Sequence, residues 1–378
     1  MSELSGPETS VLNMIRENPF VGQQEMADQL GLSRSAIAAY IVKLTEKGYI
    51  LGRGYVLPRE DRVMVLGGAV IDRKYLARSP LIAGTSNPVE GMRSFGGVAR
   101  NVAENLALLG ASTGFISAVG ADESGRDLLR YMRDRGVDVS SVISLAQERT
   151  AEYAAVLEPS GDLAFGIADM AIFDRLTPEL MENVWSSVTS ARLVFADCNL
   201  PAETLSALIS KSKAGRFELA VDAVSTPKVT RLPQNLDGID LLFLNLDEAS
   251  TLLGKTFSRT IDGMREAALK LHGCGAGAVI LSCGTDGVVV ASQTDECFIP
   301  VVKANPVDMT GAGDAMIAGT LFYYLENAEL CDAVRKGALI GSMTTESAAS
   351  VHPELSTHFV EANLHRLDPH LNHGDTIV

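Results

Sequence analysis

The chain has 378 residues, of which 46% are hydrophobic, 6% aromatic and 21% charged, and its formal net charge is −15. This composition is typical of a globular protein long enough for a large α/β domain and a smaller one. The acidic balance argues against non-specific nucleic-acid binding by the whole chain but leaves room for one local DNA-reading surface. The absence of a membrane-length apolar run and of a signal peptide predicts a cytoplasmic protein.

The cysteines are odd in number and lack the spacing of a metal site. This pattern predicts reduced thiols that are mostly buried. The five positions are Cys198, Cys274, Cys283, Cys297 and Cys331.

The first sixty residues have the periodicity of three helices followed by a hairpin. The predicted helices span residues 10–18, 23–30 and 34–47, and the predicted hairpin spans residues 48–57. This arrangement resembles a winged helix-turn-helix, in which the third helix reads DNA and the hairpin is the wing. The candidate DNA contacts are Arg34, Ser35, Lys43 and Arg53. Residues 1–60 carry six basic and seven acidic side chains, so an oligomerisation or docking module remains the alternative.

A short polar link at residues 58–62 predicts a boundary between a domain at 1–58 and a second one at 62–378. In the second region, short apolar runs alternate with helical segments, which predicts a parallel sheet flanked by helices with ligands at the carboxyl ends of the strands. These runs include residues 193–197, 219–223, 241–244 and 278–281. Two further strand-like runs between residues 149 and 169 predict a hairpin.

The segment from Asp308 to Asp314 has the features of an anion-binding helix start. Gly311 and Gly313 allow the backbone to approach a ligand closely, and the apolar residues 315–318 predict the first turns of a helix. Free amides and the helix dipole favour a phosphate there. Asp314 can orient a hydroxyl group and accept its proton during phosphoryl transfer. The alternative is an ordinary Asp cap after a glycine-rich loop.

These seven residues match the signature D-T-x-G-A-G-D of the ribokinase, or PfkB, family of carbohydrate kinases, with Met309 at a variable position. Residues 63–72, which predict a buried strand that runs into a glycine turn and ends at Asp72, resemble a family motif, and three other segments resemble family motifs in the expected order. They are residues 95–101, which precede a predicted helix at 102–109, residues 245–248 with the pattern N-x-x-E, and residues 282–287. The resemblance implies a ribokinase-like α/β fold, a parallel-sheet sandwich with a small β lid, in which the hairpin at 149–169 belongs to the lid.

The resemblance also implies roles for individual residues. Catalysis is assigned to Asp314 with Gly311, Ala312 and Gly313. Substrate contacts are assigned to Asp72, Gly96, Gly97, Asn101 and Asp169. The ATP contacts are Asn245, Ser282, Gly284 and Gly287. Glu248 is assigned to hydrated Mg²⁺, while Asp308 and Thr310 match positions that help bind a monovalent cation, which makes K⁺ activation a hypothesis.

Substrate choice rests on three short segments that resemble the pseudouridine kinase branch of the family, at residues 166–170, 345–347 and 351–353. This resemblance implies that ATP phosphorylates the 5′-hydroxyl of pseudouridine. Ribose, fructose and other nucleosides remain alternative acceptors. A transcription regulator that senses a sugar or nucleoside through a kinase-like domain is the alternative of another class. The winged-helix and lid resemblances together imply a homodimer.

Overall fold

The structure is a computed structural model that describes residues 4–18, 21–51, 61–215 and 217–367. The N-terminal helices are α1 (Gly6–Glu17), α2 (Gln23–Leu30) and α3 (Arg34–Glu46). The three predicted helices are confirmed, although α1 begins earlier than predicted because Ser5 and Glu8 form a capping box. Most of the predicted wing, including Arg53, and most of the link lie outside the described residues.

The strands that follow are β1 (Val63–Leu66), β2 (Val70–Ala77), β3 (Val89–Gly96), β4 (Thr113–Ile116), β5 (Ala118–Gly120), β6 (Ile143–Leu145), β7 (Glu152–Leu157), β8 (Leu163–Asp169), β9 (Leu193–Asp197), β10 (Glu218–Asp222), β11 (Leu241–Asn245), β12 (Ala278–Ser282), β13 (Val288–Ser292) and β14 (Glu296–Ile299). The helices are α4 (Val98–Leu108), α5 (Glu123–Asp134), α6 (Trp185–Thr189), α7 (Ala202–Ala214), α8 (Thr226–Val229), α9 (Leu246–Leu253), α10 (Ile261–Gly273), α11 (Ala312–Leu325), α12 (Leu330–Thr345) and α13 (Thr357–Asn363). Within the described ranges, no helix is both long and apolar enough to cross a membrane.

The main sheet has the strand order β14-β13-β12-β11-β10-β9-β1-β4. Strands β4, β1, β9, β10, β11 and β12 are parallel, as predicted, whereas β12, β13 and β14 pair antiparallel. The predicted parallel sheet is therefore confirmed, and it carries an antiparallel edge that the sequence did not predict. Only a short turn joins β12 to β13, and a parallel pair would require a long crossover connection.

The main sheet is buried on both faces, which explains why its strands are continuous apolar runs. Alternate residues of β1 point to opposite sides. Met64 and Leu66 belong to one hydrophobic cluster, and Val63 and Val65 belong to another. This arrangement fixes the carboxyl ends of the parallel strands at one edge.

A second sheet, called the lid, has the strand order β3-β2-β7-β8. The hairpin of β7 and β8 was predicted, but β2 and β3 were not. Most residues of β3 are exposed, so this strand lacks a recognisable apolar pattern. Asp72 was predicted to follow a strand of the main sheet. It lies instead within lid strand β2, which was not predicted.

One cysteine pair departs from the sequence prediction. Cys297 on β14 and Cys331 in α12 form a disulfide bond, so the prediction of reduced thiols was wrong for these two residues. Cys198 and Cys283 are buried free thiols, and Cys274 is a half-buried one. The spacing of the pair carries no signal, because β14 and α12 meet only in the folded protein.

Candidate active site

Asp314 lies in the first turn of α11, close to the carboxyl ends of the main-sheet strands. Its Oδ2 accepts a hydrogen bond of 2.6 Å from Nδ2 of Asn101 in α4. Burial raises the pKa of Asp314 from 3.8 to about 6, and the hydrogen bond from Asn101 opposes that rise. The carboxyl group can therefore gain and lose a proton close to neutral pH, as a general base must.

The start of α11 is built for close approach by a ligand. Gly311 has φ 81°, and a Cβ there would lie 2.0 Å from the carbonyl oxygen of Ser350. A Cβ on Gly313 would meet nothing within 4 Å. No side chain caps this described N-terminus, so its amides are available to bind an anion, although that of Ala312 also makes a long hydrogen bond of 3.4 Å to the carbonyl oxygen of Met309.

A cavity of about 360 Å³ lies between the lid and the core, and it is called the lid cavity. It is lined by Asp72, Lys74, Arg93, Ser94, Phe95, Arg100, Tyr131, Thr310, Ala348, Ala349, Ser350 and Val351. Burial raises the pKa of Asp72, and Arg100 and Lys74 oppose that effect. A Cβ on Gly96 would lie 1.9 Å from Oδ2 of Asp72, so only glycine allows this carboxylate its position.

Two predicted substrate residues, Asn101 and Asp169, differ in their position relative to Asp314 and the lid cavity. Gly97 precedes α4 with φ 97°, and α4 begins at Val98 rather than at 102, so Asn101 lies in the first turn of the helix and faces Asp314. Asp169 is exposed at the end of β8, opposite Glu152. Because β7 separates β8 from β2, Asp169 does not line the lid cavity, and its predicted contact with substrate gains no support.

Buried Arg100 holds Asn101 in place. Its guanidinium contacts the carboxylate of Glu104 and Oδ1 of Asn101, and it donates to the carbonyl oxygen of Phe95 at 2.9 Å. The hydroxyl of Tyr131 donates to Glu104 at 2.8 Å. Because Oδ1 of Asn101 faces Arg100, its NH₂ group faces Asp314. Sequence reasoning missed Arg100 and Glu104, although two charges four residues apart in an apolar helix were the available signal.

Asp197, also missed, ties two glycine motifs together. Its carboxylate is buried at the end of β9 and accepts hydrogen bonds from the amides of Gly68 at 2.9 Å and Ala99 at 3.0 Å. Burial raises its pKa, and these hydrogen bonds oppose the rise. Asp197 therefore links the turn before β2 to the start of α4. Strand β2 carries Asp72, and α4 carries Asn101.

A second cavity, of about 180 Å³, lies at the strand ends and is called the strand-end cavity. Its lining includes Asp222, Val224, Asn245, Glu248, Ser282, Gly313 and Asp314. Oδ1 of Asn245 accepts from the amide of Glu248 at 2.9 Å, and the Glu248 carboxylate accepts from the amide of Asn245 at 2.8 Å. The N-x-x-E pattern is thus a capping box at the start of α9.

The acids of this cavity can accommodate a hydrated Mg²⁺. Burial raises the pKa of Glu248, while burial and the charges of Glu248 and Asp314 raise that of Asp222 well above its usual value. The described residues hold no cluster of three or more metal-binding side chains. Mg²⁺ keeps several waters and needs few direct protein ligands, so this set of oxygen donors fits it beside phosphates. Asp222 was absent from the sequence prediction.

The remaining predicted nucleotide contacts lie in the turn between β12 and β13. Gly284 has φ 53° and Gly287 has φ 100°. A Cβ on Gly287 would lie 2.6 Å from the carbonyl oxygen of Ile299. Ser282, at the end of β12, lines the strand-end cavity, whereas the two glycines do not. Their roles in nucleotide binding stay predictions.

The residues predicted for a monovalent cation already have protein partners. Oδ1 of Asp308 accepts from the amide of Thr310 at 2.8 Å and from its hydroxyl at 2.6 Å. Oδ2 accepts from Nζ of Lys74 at 2.8 Å. Partial burial opposes these bonds, which together lower the pKa of Asp308 to about 2. A lysine ammonium thus contacts the carboxylate predicted to bind K⁺.

The N-terminal region presents one face of α3 to solvent. Ile37 and Leu44 are buried in the small core of this region, whereas Arg34, Ser35 and Lys43 are exposed. The hydroxyl of Ser33 caps the helix by accepting from the amide of Ala36 at 3.1 Å. The three described candidate DNA contacts are therefore accessible.

Comparison with known proteins identifies the family. The model of the pfkB family of carbohydrate kinases matches residues 60–357. The chain belongs to this family. Its kinases are ATP-dependent phosphotransferases, and the predicted ribokinase-like fold is confirmed. A winged helix-turn-helix DNA-binding model matches residues 8–50, which confirms the second resemblance.

Two relatives and one solved structure are especially similar to this pfkB-family chain. An uncharacterised sugar kinase of Escherichia coli, YeiI, is 32% identical over 93% of this chain and 97% of its own. A pseudouridine kinase of Escherichia coli is 33% identical over 79% of this chain and 94% of its own. A carbohydrate kinase from Agrobacterium tumefaciens has a TM-score of 0.73 at 32% identity, covering 81% of this chain and 98% of its own.

Proposed function

We propose that this protein is a nucleoside kinase that transfers the γ-phosphoryl group of ATP to the 5′-hydroxyl of pseudouridine. The observation that carries the proposal is the placement of Asp314. This partly buried acid has a pKa of about 6 and lies at an uncapped helix start, with Asp72 and Asn101 nearby on the lid side. The similarity to a pseudouridine kinase of Escherichia coli supports this choice of acceptor.

The lid cavity favours a nucleoside over a free sugar. The rings of Phe95 and Tyr131 lie 4.7 Å apart between centroids, and the guanidinium of Arg93 lies 5.7 Å from the Phe95 ring. Aromatic rings and a guanidinium group offer stacking surface and hydrogen-bond donors to a planar base. Asp72 offers acceptor oxygens to ribose hydroxyls. A free sugar would leave the aromatic part of the cavity unfilled.

In the proposed reaction, Asp314 accepts the proton of the 5′-hydroxyl as its oxygen forms a bond to the γ-phosphorus. The bond between that phosphorus and the β,γ-bridging oxygen breaks, and ADP leaves with the bonding electrons. The amides at the start of α11, from Gly311 to Gly313, stabilise the charge on the transferred group. Asn101 orients the carboxylate, and bound Mg²⁺ supplies positive charge to the phosphates.

The acceptor can be identified by measuring ADP formation with Mg-ATP and candidate substrates. We expect the highest kcat/KM with pseudouridine, lower values with uridine and other nucleosides, and the lowest with ribose and fructose. The Asp314→Asn variant serves as the control for contaminating kinases. Preference for a free sugar would support a kinase function and contradict the nucleoside assignment. If no acceptor gave ADP formation, a ligand-sensing regulator would be favoured.

We also propose that the N-terminal region binds DNA, which would make the protein an enzyme and a regulator. Arg34, Ser35 and Lys43 are exposed on α3, the third helix of the region that matches the DNA-binding model, and this helix is the proposed recognition element. Such proteins read paired half-sites as dimers. On lid strand β8, Phe165 is 62% and Ile167 is 60% exposed, and these side chains give a second copy of the chain an apolar surface.

DNA binding can be measured by fluorescence anisotropy with a random-sequence duplex at low salt, where electrostatic affinity is strongest. We expect the Arg34→Ala, Lys43→Ala double variant to bind about tenfold more weakly, with a salt slope reduced by about two. Asp314→Asn is the matched control and should bind DNA like the unaltered protein. The absence of binding by the unaltered protein at low salt would exclude this role.

A further inference from the structure

We propose that the ammonium group of Lys74 takes the place of the monovalent cation that the family resemblance assigns to Asp308 and Thr310. The kinase would then work without K⁺ activation. This inference rests on the proposed kinase function and concerns the same site.

The first observation is that both oxygens of the Asp308 carboxylate are already bound. Thr310 donates its amide and its hydroxyl to Oδ1, and Lys74 donates its ammonium to Oδ2 at 2.8 Å. Partial burial leaves the Asp308 side chain 25% exposed. A free cation at the remaining lone pair of Oδ2 would lie beside the Lys74 ammonium, and the two positive charges would repel each other. The donor set therefore does not fit an additional monovalent cation.

The second observation is where Lys74 comes from. It lies on lid strand β2, two residues after Asp72, so the two side chains share one face of the strand. Both line the lid cavity together with Thr310 and Ser350. The same strand thus brings an acid toward the acceptor and a cation toward the loop that precedes α11.

The charge balance explains why a cation is needed there. Asp308 is three residues before Gly311, whose loop and helix start are proposed to receive the γ-phosphoryl group. An unpaired carboxylate beside that position would repel the phosphate. The Lys74 ammonium neutralises Asp308, and its hydrogen bond fixes the carboxylate that holds Thr310. Because Lys74 is part of the chain, this cation is present at any salt composition.

The test compares initial rates in KCl and in tetramethylammonium chloride at equal ionic strength. For the unaltered enzyme we expect rates that agree within about twofold, because the site holds its own cation. For Lys74→Ala in tetramethylammonium we expect a rate at least ~10-fold lower. K⁺ or NH₄⁺, which fit the space left by the side chain, should restore that rate in a saturable manner. Lys74→Arg should retain most activity.

A matched control separates this role from the loss of a surface ion pair. Lys213 pairs with Asp237 at 2.6 Å on the far helix α7, and Lys213→Ala should change neither the rate nor its cation dependence. The Lys74 side chain is 36% exposed. An ion pair with this much exposure contributes little to the free energy of unfolding, and Lys74→Ala should therefore fold.

Thermal unfolding provides a readout that needs neither ATP nor acceptor. K⁺ should raise the Tm of Lys74→Ala relative to tetramethylammonium and leave the Tm of the unaltered protein unchanged. This result would stand even if the proposed acceptor proves wrong. Severalfold K⁺ activation of the unaltered enzyme would overturn the inference. A folded Lys74→Ala that keeps full activity, or an impaired one that neither K⁺ nor NH₄⁺ restores, would overturn it as well.

Discussion

Replacement of Asp314 by Asn should lower kcat by at least ~10²-fold while the fold and most nucleotide binding are retained. Asn keeps the shape of the side chain and can still accept the hydrogen bond from Asn101, but it cannot take the proton of the acceptor hydroxyl. Steady-state kinetics with the preferred acceptor and nucleotide titration by calorimetry measure the two effects. Near-normal turnover by a folded variant would mean that another group is the base.

The same substitution should stabilise the protein at alkaline pH. The pKa of Asp314 is raised from 3.8 to about 6, so the folded state binds this proton more tightly than the unfolded state does. The stabilising contribution of the proton is complete below about pH 4 and is lost as the pH rises through about 6. At pH 8 the unfolding free energy of Asp314→Asn should exceed that of the unaltered protein by up to ~3 kcal/mol. Urea unfolding at pH 8 and pH 4 measures the difference, which should vanish at the lower pH.

The pH dependence of the reaction gives a further readout of Asp314. The base must be ionised to act, so kcat/KM should fall by ~10-fold per pH unit below about pH 6. The residual activity of Asp314→Asn should lack this acidic limb. Persistence of the limb in the variant would assign it to another group, such as Asp72, whose pKa is also raised.

Replacement of Gly311 by Ala should damage stability and catalysis together. The residue has φ 81°, which strains any residue with a Cβ, and the new methyl group would lie 2.0 Å from the backbone oxygen of Ser350. We expect the unfolding free energy to fall by ~2 to 4 kcal/mol. The displaced amides should also lower kcat by ~10²-fold, as loss of preorganised donors does elsewhere. Urea unfolding and steady-state kinetics measure the two losses.

Gly313 provides the matched comparison for stability. Its Cβ would meet nothing within 4 Å, and Ala is the better helix former in the first turn of α11. Gly313→Ala should therefore keep or slightly raise the Tm. Equal destabilisation by the two substitutions would show that the backbone at Gly311 is not constrained as the structure indicates.

Local patterns predicted most of the main sheet. The apolar runs at residues 193–197, 219–223, 241–244 and 278–281 match strands β9 to β12 within one residue at each end, because buried parallel strands are apolar on both faces. Strand β3 escaped prediction because its residues are mostly exposed. The antiparallel edge formed by β13 and β14 also escaped, since neither strand has a pattern that distinguishes the two directions.

Spacing within motifs predicted the positions that converge in the site. Asp72, Asn101 and Asp314 are far apart in the chain, yet the order of the motifs placed them together, and the structure brings Asn101 and Asp314 to 2.6 Å. The residues that contact these side chains could not be predicted from the sequence. Arg100 beside Asn101 and Lys74 beside Asp308 depend on side-chain directions set by packing between the lid and the core. Asp222 depends on which strand ends meet.

The acids of the strand-end cavity also bear on how long each molecule survives. Asp222, Glu248 and Asp314 have raised pKa values, so ionisation of these acids in the empty protein costs folding free energy. A bound metal–nucleotide complex offsets that cost in addition to its ordinary mass-action stabilisation. We therefore expect empty molecules to unfold more readily than molecules with the complex bound.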